Sequence, residues 1–256
     1  MHLRFCASVG VLALLATLSS ASGPVYAYAT NYHQDLLLID LTSTTSTFIG
    51  TIGFTAQGLA ATSNGNLYAT SPAGNLFKVN GGVAVPVAPL GGLQVGAMDS
   101  AGSTLWGFDN ASQRLFEYDP VSTSFVNWST PIALPDRVNA MAIDATGDFL
   151  VITGSGISNE FSKITNGTWA TTLLNPSMAM PDRCEAMDFL SDGSLYGAVL
   201  GDTRWRINPF NGNVQLTAPS IVHRDWSDMT ATPVPEPATF AALGLGLAAL
   251  RRRKLK

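Results

Sequence analysis

A four-part pattern of short strand-like segments occurs five times between residues 25 and 232. Such a repeat leaves few ways to build a core, because no single unit can bury its own apolar face. The first part reads VYAYAT (25–30), NLYAT (66–70), TLWGF (104–108), DFLVIT (148–153) and SLYGAV (194–199). Val25, Leu67, Leu105, Phe149 and Leu195 align at spacings of 42, 38, 44 and 46 residues. The second part reads DLLLID, NLFKVN, RLFEYD, EFSKIT and RWRINP, and the third TFIGTI, VAVPVA, SFVNWS, WATTLL and NVQLTA. The fourth reads GLAAT (58–62), GAMDS (96–100), AMAID (140–144), AMDFL (186–190) and DMTAT (228–232). The segments are rich in β-branched and aromatic residues and partly alternating. Asn64-Gly65, Asp192-Gly193 and Asn211-Gly212 supply turn residues that take up positive φ cheaply.

Twenty short strands in fours predict an all-β fold, a β-propeller of five four-stranded blades. The chain starts on the first part of the pattern and the repeats end on the fourth. Ring closure therefore pairs DMTAT with VYAYAT in one blade and hides sheet edges that would invite aggregation. A β-sandwich, or a ring with another blade number, is the alternative. The segment GLAATSNGNLYAT followed by NLFKVN is similar to repeats of bacterial surface propellers of the YVTN or NHL-like kind, a likeness that bears on fold alone.

The two ends differ from the middle. Residues 1–22 read as a signal peptide: Arg4, an apolar stretch from Phe5 to Leu18, then small residues. Its removal takes Cys6 away and leaves Cys184 alone, expected to be a small buried thiol. The propeller domain spans 23–232. Residues 24–232 hold 8 Lys and Arg against 17 Asp and Glu, a net charge of -9, which argues against nucleic acid as a partner. Residues 233–256 contain Pro235-Glu236-Pro237, the apolar run 238–250, and the basic cluster Arg251, Arg252, Arg253 and Lys254. Thirteen helical residues rise about 20 Å against a hydrocarbon core of about 30 Å, so flanking residues and snorkelling Arg stems would have to help the run cross a membrane. The basic cluster stays on the cytoplasmic side.

This tail resembles the PEP-CTERM sorting signal of Gram-negative bacteria. The resemblance covers the Pro-Glu-Pro triplet, the short apolar helix and the terminal basic residues. It implies recognition by an exosortase, a membrane-embedded cysteine protease-transpeptidase. Cleavage near the triplet would then release a transiently anchored protein to the cell surface or the extracellular space. The family association is with exopolysaccharide-producing bacteria, so exopolysaccharide or other surface proteins are the implied partners.

The fourth segments should line the central channel. Leu59, Met98, Met141, Met187 and Met229 align in them and are expected to pack blade against blade, with Met filling gaps. Asp136-Arg137, Asp182-Arg183 and His223-Arg224-Asp225-Trp226 precede the last three of these segments, with Gln57 and Gln94 as counterparts. They should ring one mouth of the channel. There they would either bind hydroxyls or a peptide, with Trp226 as a stacking platform, or tie neighbouring loops through Asp–Arg pairs.

No cofactor or metal site is expected, since two histidines, His33 and His223, make a poor zinc site. No G-x-S-x-G elbow marks a nucleophile. Two functional classes follow. One is a non-catalytic surface or matrix protein binding glycan or protein at the mouth. The alternative is a secreted glycosidase or lyase using Asp136, Asp182, Glu185 and Asp225.

Overall fold

The computed structural model describes residues 25–231 apart from 42, 44, 156, 157, 200–202 and 219–225, and only the backbone of 218 and 226. Strands β1 (Tyr26–Asn31), β2 (Asp35–Asp40) and β3 (Thr45–Thr51) open the chain. Blade two contains β4 (Gly58–Ala61), β5 (Leu67–Thr70), β6 (Asn75–Asn80) and β7 (Val83–Pro89). Blade three contains β8 (Val95–Ala101), β9 (Thr104–Asp109), β10 (Arg114–Asp119) and β11 (Ser124–Trp128). Blade four contains β12 (Val138–Ile143), β13 (Phe149–Ser155), β14 (Ser158–Ile164) and β15 (Thr171–Asn175). Blade five contains β16 (Cys184–Phe189), β17 (Leu195–Val199), β18 (Arg204–Ile207) and β19 (Val214–Ala218). The last strand, β20 (Trp226–Ala231), pairs antiparallel with β1 and completes blade one in the order β20-β1-β2-β3.

The protein is therefore a five-bladed β-propeller closed by its C-terminal strand, with no helix among the described residues. The inner strands β4, β8, β12, β16 and β20 touch in cyclic order, and β20 touches β4 to complete the ring. Each expected segment falls on its own strand. The terminal segments, 1–22 and 233–256, lie outside the described residues.

Five apolar clusters fill the spaces between blades, and each contains one member of the aligned Leu and Met set. Leu59 packs between blades one and two, Met98 between two and three, and Met141 between three and four. Met187 packs between blades four and five, and Met229 between five and one. All five are buried. Burial of such a side chain stabilises by roughly 1.5–3 kcal/mol, so the set bolts the blades together through the hydrophobic effect.

An inner edge strand still carries amide N–H groups with no strand partner. Two carboxylates and a hydroxyl serve them. Asp99 accepts from Ser100 N at 2.6 Å and from Ile143 N of the next blade at 2.7 Å. Asp188 accepts from Phe189 N and from Ala231 N, both at 2.6 Å, and from the Thr230 hydroxyl at 3.0 Å. Thr230 Oγ1 accepts from Ala61 N at 3.1 Å. The same backbone position is thus satisfied in all five blades, by side chains placed one residue after the aligned Met98, Met187 and Met229.

Candidate functional site at one mouth of the ring

The segments entering the inner strands meet at one end of the ring. Four of those strands carry a β-bulge at the same aligned position. The ladder to the neighbouring strand skips Gly96 in β8, Asn139 in β12, Glu185 in β16 and Ser227 in β20. A bulge adds one residue and re-aims its side chain. Asn139 turns to donate to Gly154 O at 2.7 Å, and the Ser227 hydroxyl meets that of Thr30 at 3.0 Å. Glu185 is the one ionisable residue of the four.

The Glu185 carboxylate accepts from Arg183 Nε in an ion pair. A second guanidinium nitrogen of Arg183 reaches the Tyr32 hydroxyl at 3.4 Å, across the junction of blades five and one. Burial raises the Glu185 carboxyl above its usual range, while Arg183 and the nearby Arg137 act in the opposite direction. Burial and the Glu185 charge push the Tyr32 phenol up. The Tyr32 ring is exposed, as is Arg137, whereas Arg183 is half-buried.

Side-chain amides fix this mouth from below. Asn110 accepts from Val138 N at 2.8 Å and donates to Val138 O at 3.0 Å, holding the residue after Arg137 as a strand partner would. Asn159 donates to Asp182 O at 2.8 Å and accepts from Cys184 N at 3.0 Å, clamping both neighbours of Arg183.

Asp136 and Asp182 accept from the amide N–H of the residue that follows each, both at 2.7 Å. They shape their own loops. Arg183, the residue before β16, pairs with the bulged Glu185 of that strand, and neither Asp136 nor Asp182 makes an ion pair among the described residues. His223, Arg224 and Asp225 lie outside the described residues, and Trp226 is placed only as the first residue of β20. Tyr32 was not expected from sequence; its place in the β1–β2 turn, at the closure of the ring, was the available signal.

Cys184 is buried and unoxidised, and burial pushes its thiol up to about 12, which leaves it inert as a nucleophile. Among the described residues, no three of His, Cys, Asp and Glu are grouped to hold a metal ion.

A ring of this kind with a polar mouth belongs to the class of β-propeller proteins. Residues 233–254 match the PEP-CTERM protein-sorting motif, which marks the chain for exosortase-sorted export. No protein of curated function matches the chain. A solved structure of a protein of unknown function from Bacteroides caccae is similar at 11% identity and a TM-score of 0.54. The match covers 82% of this chain and all of that one, a likeness of fold.

Proposed function

We propose that this is a non-catalytic cell-surface or matrix protein that binds glycan or protein at the propeller mouth. Residues 1–22 direct secretion, 23–232 form the binding domain, and 233–256 anchor it in the inner membrane until exosortase acts. The observation that carries the binding role is the Arg183–Glu185–Tyr32 group, with Arg137 nearby. It offers charged donors, an acceptor and an exposed aromatic face at one rim. Asp136 and Asp182 remain candidates at that rim, together with His223, Arg224, Asp225 and Trp226.

The test uses the processed protein on a glycan array and in pull-downs with surface extract. Capture should fall when Arg137 and Arg183 are both replaced by Gln. Capture unchanged by the double replacement would remove the mouth as the binding site. Turnover of a polysaccharide, lost in Asp136→Asn or Asp182→Asn, would replace the binding role with an enzymatic one. Alanine at Pro235, Glu236 and Pro237 should leave the precursor uncleaved by mass; an unchanged mature product would overturn exosortase processing.

A further inference from the structure

At the other end of β12 and β16 from Arg137 and Arg183, a cleft of about 680 Å³ opens between blades four and five. Ile143, Leu174, Phe189 and Phe210 give it apolar walls, and Lys163, Asp144 and Thr146 lie along it. A second cleft of about 530 Å³ lies on the other flank of the β18–β19 turn and shares Gly193, Pro209 and Phe210 with the first. Its lining is more polar, with Arg206, Asn213 and Gln215. Both volumes fall in the range of small-ligand sites.

Phe210 stands on the ridge between the clefts and is 85% exposed. The turn carrying it is pinned. Phe210 N donates to Asn208 Oδ1 at 2.9 Å and Gly212 N to Asn208 O at 2.8 Å. Asn175 of blade four donates to Gly212 O at 3.1 Å. The aromatic ring is therefore held out on fixed backbone.

The charges differ on the two sides. Lys163 bridges Asp144 at 3.1 Å and Asp148 at 2.8 Å, so its charge is already compensated. Arg206 donates to Ser194 Oγ at 3.0 Å and makes no ion pair among the described residues. A guanidinium with spare donors matches a carboxylate in a planar, two-point geometry.

We propose that the two clefts form one groove for an acidic oligosaccharide, with one sugar ring stacked on Phe210 and the carboxylate of an adjoining uronic acid on Arg206. A sugar presents an apolar C–H face and a rim of hydroxyls, which suits an aromatic ridge with an apolar cleft on one side and a polar one on the other. A wholly apolar ligand would strip water from Arg206, Asn213 and Gln215 and give them no partner. The domain as a whole is acidic. Attraction for an acidic polymer must therefore be local, and Arg206 supplies it. The groove is separate from the mouth and does not depend on what the mouth binds.

The test is calorimetric titration of the processed protein with galacturonate, glucuronate and mannuronate trisaccharides and their neutral counterparts. At least one acidic trisaccharide should bind more tightly than its neutral counterpart. Phe210→Ala should weaken both by about tenfold. Arg206→Gln should bring the acidic sugar down to the neutral one and leave the neutral one unchanged. Both residues are exposed, so an unchanged urea midpoint will show that the ring is intact. Failure of every acidic trisaccharide to bind would overturn the groove, as would parental affinity in both variants. Loss of sugar binding in Arg183→Gln with none in Phe210→Ala would move the sugar to the mouth and equally overturn it.

Discussion

Asp188 accepts the backbone N–H of Ala231 at 2.6 Å, joining blade five to the strand that closes the ring across 43 residues of sequence. The same carboxylate holds the Thr230 hydroxyl and Phe189 N. Asp188→Ala should therefore lower stability by about 3 kcal/mol, because buried donors are left without an acceptor. Thr230→Val removes fewer bonds and should cost about 1 kcal/mol. Urea denaturation measures both. Equal losses in the two variants would contradict the latch.

Asp99, Asp188 and Asp228 lie close enough around the axis for their charges to repel. Burial is the larger cause and raises all three carboxyls, Asp188 to about 6. A carboxyl raised in the folded state binds its proton more tightly there than in the unfolded chain. Its stabilising contribution is complete below the unfolded value of about 3.9 and is lost as pH rises through the folded value. Hydrogen bonds lower Asp119, and hydrogen bonds involving Lys163 help to lower Asp144 and Asp148. Those three contribute above the unfolded value and lose the contribution as pH falls through their lowered values. Stability should therefore be greatest at about pH 4 and fall as pH rises through about 6. Urea midpoints at pH 3, 5, 6.5 and 8 measure the curve. A midpoint that climbs steadily to pH 8 would show that the axial carboxyls do not govern it.

Glu185 is almost fully buried and takes its ion pair from a half-buried Arg183. Removing the arginine leaves a carboxylate in a poorly hydrated site. Arg183→Gln should destabilise by about 2 kcal/mol, less than for a fully buried pair because water reaches the guanidinium. Glu185→Gln in the same background should restore part of that loss. A double-mutant cycle by thermal unfolding gives the coupling, and a zero value would mean that the pair does not shape the mouth.

The ring was legible in the sequence because each blade needs the same alternation and the same turn residues, so five weak signals align. Closure was legible too, since the repeats end on the pattern whose partner starts the chain. The mouth was half legible. Its position followed from the inner strands, but the bulges did not, because one inserted residue leaves the apolar pattern on either side intact. Glu185 therefore counted as one carboxylate among several, and its pairing with Arg183 could not be foreseen. Two of the axial aspartates, Asp99 and Asp188, stood one residue beyond Met98 and Met187, in GAMDS and AMDFL. The Met alignment drew attention to packing, whereas the unpaired N–H groups of the inner edge are what those acids answer. An acid recurring in an otherwise apolar inner strand was the signal for them.

Gly96 shows how closely the mouth is fitted. A Cβ there would lie 2.0 Å from Asn110 Nδ2 and 2.2 Å from Val138 O, the two atoms of one leg of the Asn110 clamp. The backbone dihedral is not the constraint; the space is. Neither atom can yield cheaply, because Asn110 also accepts from Val138 N and Val138 begins β12. Gly96→Ala should therefore break the clamp and destabilise by about 3 kcal/mol, through overpacking and lost hydrogen bonds together. Asn110→Ala should cost about 2 kcal/mol. The double variant should fall short of the sum, since the clamp is lost only once and the clash with the amide is gone, while the methyl still meets Val138 O. Additive losses in urea denaturation would show that Gly96 is required for some other contact. Arg137 adjoins Val138, so ligand capture dependent on Arg137 should weaken in Gly96→Ala while the Arg183–Glu185 coupling stays unchanged.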